Sequence, residues 1–99
     1  MEALSLRFAK RAERQIDDIL NYIALDNPDA AQKIAEHIET LMAKVLAFPE
    51  MGRRVFDDLP YREVLAYPCR LIYRRIEPTL WVVAVLRTEQ LLRRGMLEG

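Results

Sequence analysis

From Ala9 onward the apolar residues of this chain change their period once, and the position of that change limits the fold to a few arrangements. From Ala9 through Val45 they recur every three or four residues; from Tyr61 to Thr88 they run in short alternating or continuous blocks. A helical half followed by a strand half describes an α+β chain rather than an alternating βαβ one. A length of 99 residues allows one hydrophobic core, so residues 1–99 read as a single domain.

LSLRF, residues 4–8, alternates apolar and polar side chains and reads as a short N-terminal strand. Ala12, Ile16, Ile19, Leu20 and Ile23 then share one helical face, with Lys10, Arg11, Glu13, Arg14, Asp17 and Asp18 around the rest, which predicts a helix ending near Leu25. In DNPDAA, Asn27 suits an N-cap, Pro28 the first turn, and Asp29 the positive end of the helix dipole. The second helix carries an apolar stripe of Ala31, Ile34, Ala35, Ile38, Leu41, Met42 and Val45. The two therefore pair as an αα-hairpin. Pro49 and Gly52 mark FPEMGRR, residues 48–54, as the exit loop.

YREVLAY (61–67), CRLIYRRI (69–76) and LWVVAVLRT (80–88) form the strand half, the last two joined through Glu77, Pro78 and Thr79. They predict a three-stranded antiparallel meander with the helices packed on one of its faces. The third run is apolar at nearly every position, as a central strand covered on both sides would be. In CRLIYRRI, Leu71, Tyr73 and Arg75 point one way, and Arg70, Ile72, Arg74 and Ile76 the other. The first set reads as core and the second as a surface for a partner. EQLLRRGMLEG, at the end, reads as a short amphipathic stretch or tail.

No segment has the roughly 18 consecutive apolar residues of a membrane span, and the N-terminus lacks the pattern of a secretory signal, so a cytoplasmic protein is expected. Cys69, the single cysteine, has no disulfide partner and no metal-spaced companions. His37 lies among Glu36 and Glu39 on the polar side of the second helix and reads as a surface residue. There is no Gly-rich phosphate loop, HExxH or GxSxG motif; neither a cofactor nor a metal is expected. The net charge is zero, but residues 1–52 hold six Lys+Arg against nine Asp+Glu, and residues 53–99 hold nine arginines against six acids. The basic half uses only arginine, the side chain suited to bidentate contact with carboxylate or phosphate. Arg62, Arg70, Arg74 and Arg87 are expected to converge on one sheet face, with Arg53 and Arg54 in the preceding loop. The alternative is that they are solvated strand residues, or partners of Glu63, Asp57, Asp58 and Glu77.

The stretches DDILNYIALDNPDAAQKIAEHI, FPEMGRR, YRE, YPCRLIYRRI and WVVAVLR, in this order, resemble the RelE/ParE superfamily of type II toxin–antitoxin toxins. The likeness covers nearly the whole chain. Its most specific parts are the YIA-x-x-NP-x-A-A hairpin and the loop with Pro49, Gly52 and Arg53.

The resemblance implies one of two activities. RelE-like members are ribosome-dependent endoribonucleases that cut mRNA; ParE-like members inhibit DNA gyrase without bond chemistry. Both are neutralised by a cognate antitoxin, in complexes that reach operator DNA through that antitoxin. As a nuclease, the chain would use Arg70 to hold phosphate, Glu50 near the place of a general base, and Arg87 where other members carry His-Tyr. The sheet and tail have neither histidine nor lysine, however, and arginine is a poor proton shuttle. Gyrase inhibition is therefore the favoured reading. A diverged, inactive toxin is the third. Arg53, Arg62, Arg70, Ile72, Arg74 and Arg87 are the residues expected to meet the target or the antitoxin.

Overall fold

The computed structural model describes residues 3–97, so the last two residues of EQLLRRGMLEG lie outside the described range. The elements are β1 (Ser5–Phe8), α1 (Lys10–Asp26), α2 (Pro28–Ala47), β2 (Arg53–Arg54), β3 (Arg62–Ala66), β4 (Cys69–Ile76), β5 (Thr79–Arg87) and a 3₁₀ turn (Arg94–Met96). Asn27 serves both helices. Its backbone N–H closes α1 onto the Ile23 carbonyl at 2.9 Å, and its Oδ1 accepts the Ala30 N–H at 3.1 Å to cap α2. One residue thus ends one helix and begins the next, which fixes the hairpin.

Among the described residues the sheet has five strands, in the order β1-β5-β4-β3-β2. The meander is present as expected, with two additions. β1 joins the sheet, running parallel to β5 with Leu6 opposite Leu80 and Phe8 opposite Val82. Arg53 and Arg54, expected in a loop, pair with Glu63 and Arg62 as a two-residue edge strand. So short an edge offers little for another sheet to join.

The helical hairpin covers one face. Ala12, Ile19, Ile38, Met42 and Val45 pack there against Val64, Ala66, Cys69, Leu71, Tyr73, Leu80, Val82 and Val85. Leu71 and Tyr73 serve this core as the alternation of β4 requires. The opposite face carries a second, smaller core of Ile72, Ala84, Leu86 and Leu97, ringed by Val55, Phe56, Tyr61, Leu92 and Met96. The C-terminal stretch and the 55–61 loop form this second layer. β5 is accordingly buried from both sides, which explains its continuous apolar run.

The register of β4 against β5 shifts between Ile72 and Tyr73: Ile72 faces Ala84, but Tyr73 faces Val82, so Val83 is a bulged residue. Helix α1 secures this bulge. The Arg11 Nε donates to the Val83 carbonyl at 3.3 Å, and the Val85 N–H donates to Gln15 Oε1 at 2.8 Å. The bulge reverses the phase of β5: Leu80 and Val82 face the helices before it, and Val85 after it.

Candidate functional site

The loop between α2 and β2 is built around the Tyr73 hydroxyl. That group donates to the Pro49 carbonyl at 2.6 Å and accepts the Gly52 N–H at 3.0 Å. A Cβ on Gly52 would lie 2.6 Å from the same oxygen and 2.8 Å from the Glu63 carbonyl, so only glycine fits. Arg62 completes the arrangement, its Nη1 donating to the carbonyls of Gly52 at 2.8 Å and Glu50 at 3.3 Å. The Pro-x-x-Gly spacing is therefore a structural requirement of the loop. Burial raises the Tyr73 phenol above its usual range, while the Gly52 contact and the nearby Arg62 act in the opposite direction.

Glu63 is the buried charge of the chain's second layer, only 4% exposed. Its Oε1 accepts from Arg53 Nε at 2.5 Å, and its Oε2 from Arg70 Nε and Nη2 at 2.9 and 2.7 Å. Arg70 spends its remaining nitrogen, Nη1, on the Gln90 carbonyl at 2.7 Å, which ties the tail to the sheet. A carboxylate this deep is tolerable because cations meet both of its oxygens. Leu65 and Leu91 stand exposed beside this ion triad.

β3 begins opposite Tyr73, and β4 extends past it through Arg74, Arg75 and Ile76, paired there with β5 but not with β3. The overhang forms one wall of a cleft of about 200 Å³. Arg54, Arg62, Arg74 and Arg75 line it, with Pro49, Glu50, Pro60 and Tyr73. A wider groove of about 930 Å³ follows β1 and α1, lined by Leu6, Phe8, Ile16 and Trp81 together with charges of both signs.

The residues expected to act together are in fact divided. Cross-strand partners share a face. Arg62 pairs with Tyr73, and Arg87 with Cys69, so both belong to the helix side; Arg70 follows the alternation to the other. The single face of four arginines does not exist. The bulge at Val83 is the cause for Arg87, whose guanidinium lies 4.8 Å from the ring centroid of Tyr22 on α1. Ile72, expected on the surface, is fully buried beneath the tail. Arg53, 75% exposed, and Arg70 are partners of Glu63, so the ion-pair alternative describes both. Glu50, Arg70 and Arg87 occupy three separate settings: the basic cleft, the Glu63 triad and the α1 surface. Cys69 is a buried thiol that desolvation makes harder to ionise, with Arg87 opposing the effect. Among the described residues no cluster of His, Cys, Asp or Glu is placed to hold a metal ion, and no helix is long and apolar enough to cross a membrane. The sequence reading missed the tail as a second layer; the apolar spacing of Leu92, Met96 and Leu97 was its signal.

Residues 6–92 match the family described as ParE toxin of type II toxin-antitoxin system, parDE. The chain belongs to the ParE toxin family. A protein of Sinorhizobium fredii (strain NBRC 101917 / NGR234) named "Putative toxin Y4kP" is 33% identical to this ParE-family chain over 70 residues, covering 62% of the chain and 73% of that protein. Two solved structures share the ParE-family fold at 17% identity. One, a chromosomal ParDE toxin–antitoxin system from P. aeruginosa, superposes with a TM-score of 0.71 and covers 86% of this chain and 96% of that one. The other, the RelBE2 toxin–antitoxin complex of Mycobacterium tuberculosis, gives a TM-score of 0.62, with coverage of 87% and 99%. The resemblance drawn from the sequence, to the RelE/ParE superfamily and its α+β fold, is thus met by family and by fold.

Proposed function

We propose that this ParE-family toxin arrests growth by inhibiting DNA gyrase, acts in the cytoplasm, and is held inactive by a cognate antitoxin. The observation that carries the choice of target is the state of Arg70. Its guanidinium is committed to Glu63 and to the Gln90 carbonyl, and neither Glu50 nor Arg87 stands beside it. Attack by a ribose 2′-hydroxyl needs one group to take a proton and another to give one back. An arginine, protonated throughout and held in this way, does neither. An inhibitor that binds its target needs no such pair.

The antitoxin reading is supported by the likeness to two toxin–antitoxin assemblies and by the groove along α1 and β1. β1 is an edge strand, so an extended segment could pair with it while apolar side chains fill the groove.

One preparation of the toxin decides between the two targets. Supercoiling by purified gyrase should fall as toxin is added, while primer extension on mRNA from arrested cells should give intact transcripts. Undisturbed supercoiling across a wide titration, with codon-positioned cuts in ribosome-bound mRNA, would overturn the gyrase reading in favour of a RelE-like endoribonuclease. No effect in either assay, and no arrest on expression, would mark an inactive toxin.

A further inference from the structure

The arginines that line the cleft beside the β4 overhang divide by the partners they have. Arg53, Arg70, Arg75 and Arg94 each have a carboxylate within 4.0 Å. Arg54, Arg62 and Arg74 are not among the ion pairs, yet all three line the same cleft. Arg54 gives hydrogen bonds to the carbonyls of Asp57 and Leu59, at 3.3 and 2.7 Å, and Arg62 to those of Glu50 and Gly52. Those bonds fix the guanidinium planes without cancelling their charge. Arg74 rests 5.5 Å from the ring centroid of Tyr61, and its Nε is buried with no hydrogen-bond partner. A buried donor left unmade costs about 1–3 kcal/mol. Arg75 is already paired with Glu77 at 2.5 Å. The cleft therefore favours an anion: Glu50 is the one carboxylate among the described residues of its lining, against three arginines with no ion pair among the described residues, and the Arg74 Nε is unspent.

Two features separate carboxylate from phosphate. Exposed apolar side chains flank the lining residues along the chain, Phe48 and Met51 on either side of Pro49 and Glu50, and Ile76 after Arg75. The chain as a whole is neutral, which gives little long-range attraction for a nucleic-acid backbone. We infer that the Arg54–Arg62–Arg74 cleft receives an Asp or Glu side chain from an acidic, partly apolar segment of the antitoxin. The inference rests on the reading above that this toxin has a protein antitoxin. The guanidinium fork supplies paired N–H donors to the carboxylate, and the exposed apolar residues hold the segment on either side.

The test follows the Nε–Hε resonances of the wild-type toxin by NMR during titration with a decapeptide of alternating Glu-Glu and Leu-Leu pairs, and separately with a single-stranded oligonucleotide of equal charge. The peptide should shift the Arg74 resonance, and its affinity should fall at least tenfold in the Arg54→Gln/Arg74→Gln variant at an unchanged thermal midpoint. An unmoved Arg74 resonance overturns the proposal, as does tighter binding of the oligonucleotide through the same two arginines. In the full complex, the antitoxin should bind that variant at least tenfold more weakly. Unchanged antitoxin affinity would overturn the cleft assignment and leave the antitoxin reading intact; absence of antitoxin binding to the wild-type toxin would instead defeat that reading.

Discussion

The Tyr73 hydroxyl occupies the space that a side chain on Gly52 would need, and its 3.0 Å contact with the Gly52 N–H turns that exclusion into a bond. The loop leading from α2 to the sheet is held through this one oxygen, 21 residues away in sequence. Gly52→Ala should accordingly destabilise the toxin by about 1–3 kcal/mol, the usual cost of forcing an extra carbon into a filled site. Tyr73→Phe should cost about 1–3 kcal/mol by leaving the Gly52 N–H without its partner. Denaturant melts of both variants check this. A Gly52→Ala midpoint equal to that of the wild type would show that the loop can move aside.

The Glu63 triad should respond unequally to loss of its two cations. Arg70→Ala removes the partner whose side chain is 13% exposed and leaves a buried carboxylate with half its compensation, at a cost of about 3 kcal/mol. Arg53→Ala removes a mostly exposed partner and should cost less than about 1 kcal/mol. Replacing the carboxylate itself by glutamine keeps the shape but leaves Arg70 without a counter-charge, so Glu63→Gln should fall between them. Equal losses for Arg53→Ala and Arg70→Ala in urea melts would contradict this order.

Alkaline pH should weaken the fold through two groups. Burial raises both the Cys69 thiol and the Tyr73 phenol above their unfolded values. A raised pKa means that the folded state holds its proton longer than the unfolded chain. The stabilisation is therefore complete below the unfolded value and is lost as pH rises through the folded one. The denaturation midpoint should thus vary little on account of these groups near pH 7 and decline above about pH 9. Cys69→Ala should remove the part of the decline that begins first, and Tyr73→Phe the part that begins about a pH unit higher. A wild-type midpoint unchanged up to pH 11 would refute the argument.

The tail should be a stabilising layer with weak outer fastenings. Leu97 is 5% exposed against Ile72, Ala84 and Leu86, so Leu97→Ala should cost about 2–3 kcal/mol. The Arg94–Asp58 pair is open to solvent, and Arg94→Ala should leave the melting midpoint almost unchanged. Hydrogen exchange would report the same contrast, with faster exchange across β5 and β4 in Leu97→Ala alone.

Much of the fold was legible because it rests on local chemistry. Asn27-Pro28-Asp29 specified where one helix gave way to the next, and the two apolar stripes specified a hairpin. Leu71 and Tyr73 were placed correctly because alternation holds along β4 itself. What could not be read was register. Whether Arg62 faces the helices depends on its being opposite Tyr73, and whether Arg87 does depends on one extra residue in β5. Such a bulge leaves no mark in a run as uniformly apolar as LWVVAVL. Ile72 was misplaced for a related reason. Alternation showed that it points away from the helices, but the cover it finds there comes from residues 92–97, 20 and more positions further along.

The pairing of β1 with β5 sets a schedule for synthesis. Ser5 meets its neighbour only at Thr79, and β4 also needs β5 before its second side is filled. The strand that joins β1 to the rest of the sheet is the last strand to be made. A ribosome that has produced three quarters of this toxin has therefore produced neither core in finished form, and contacts of such long sequence separation are the slowest to close. Neither core can close on the nascent chain before β5 has been made. A delay of that kind gives a partner translated earlier time to be folded and waiting.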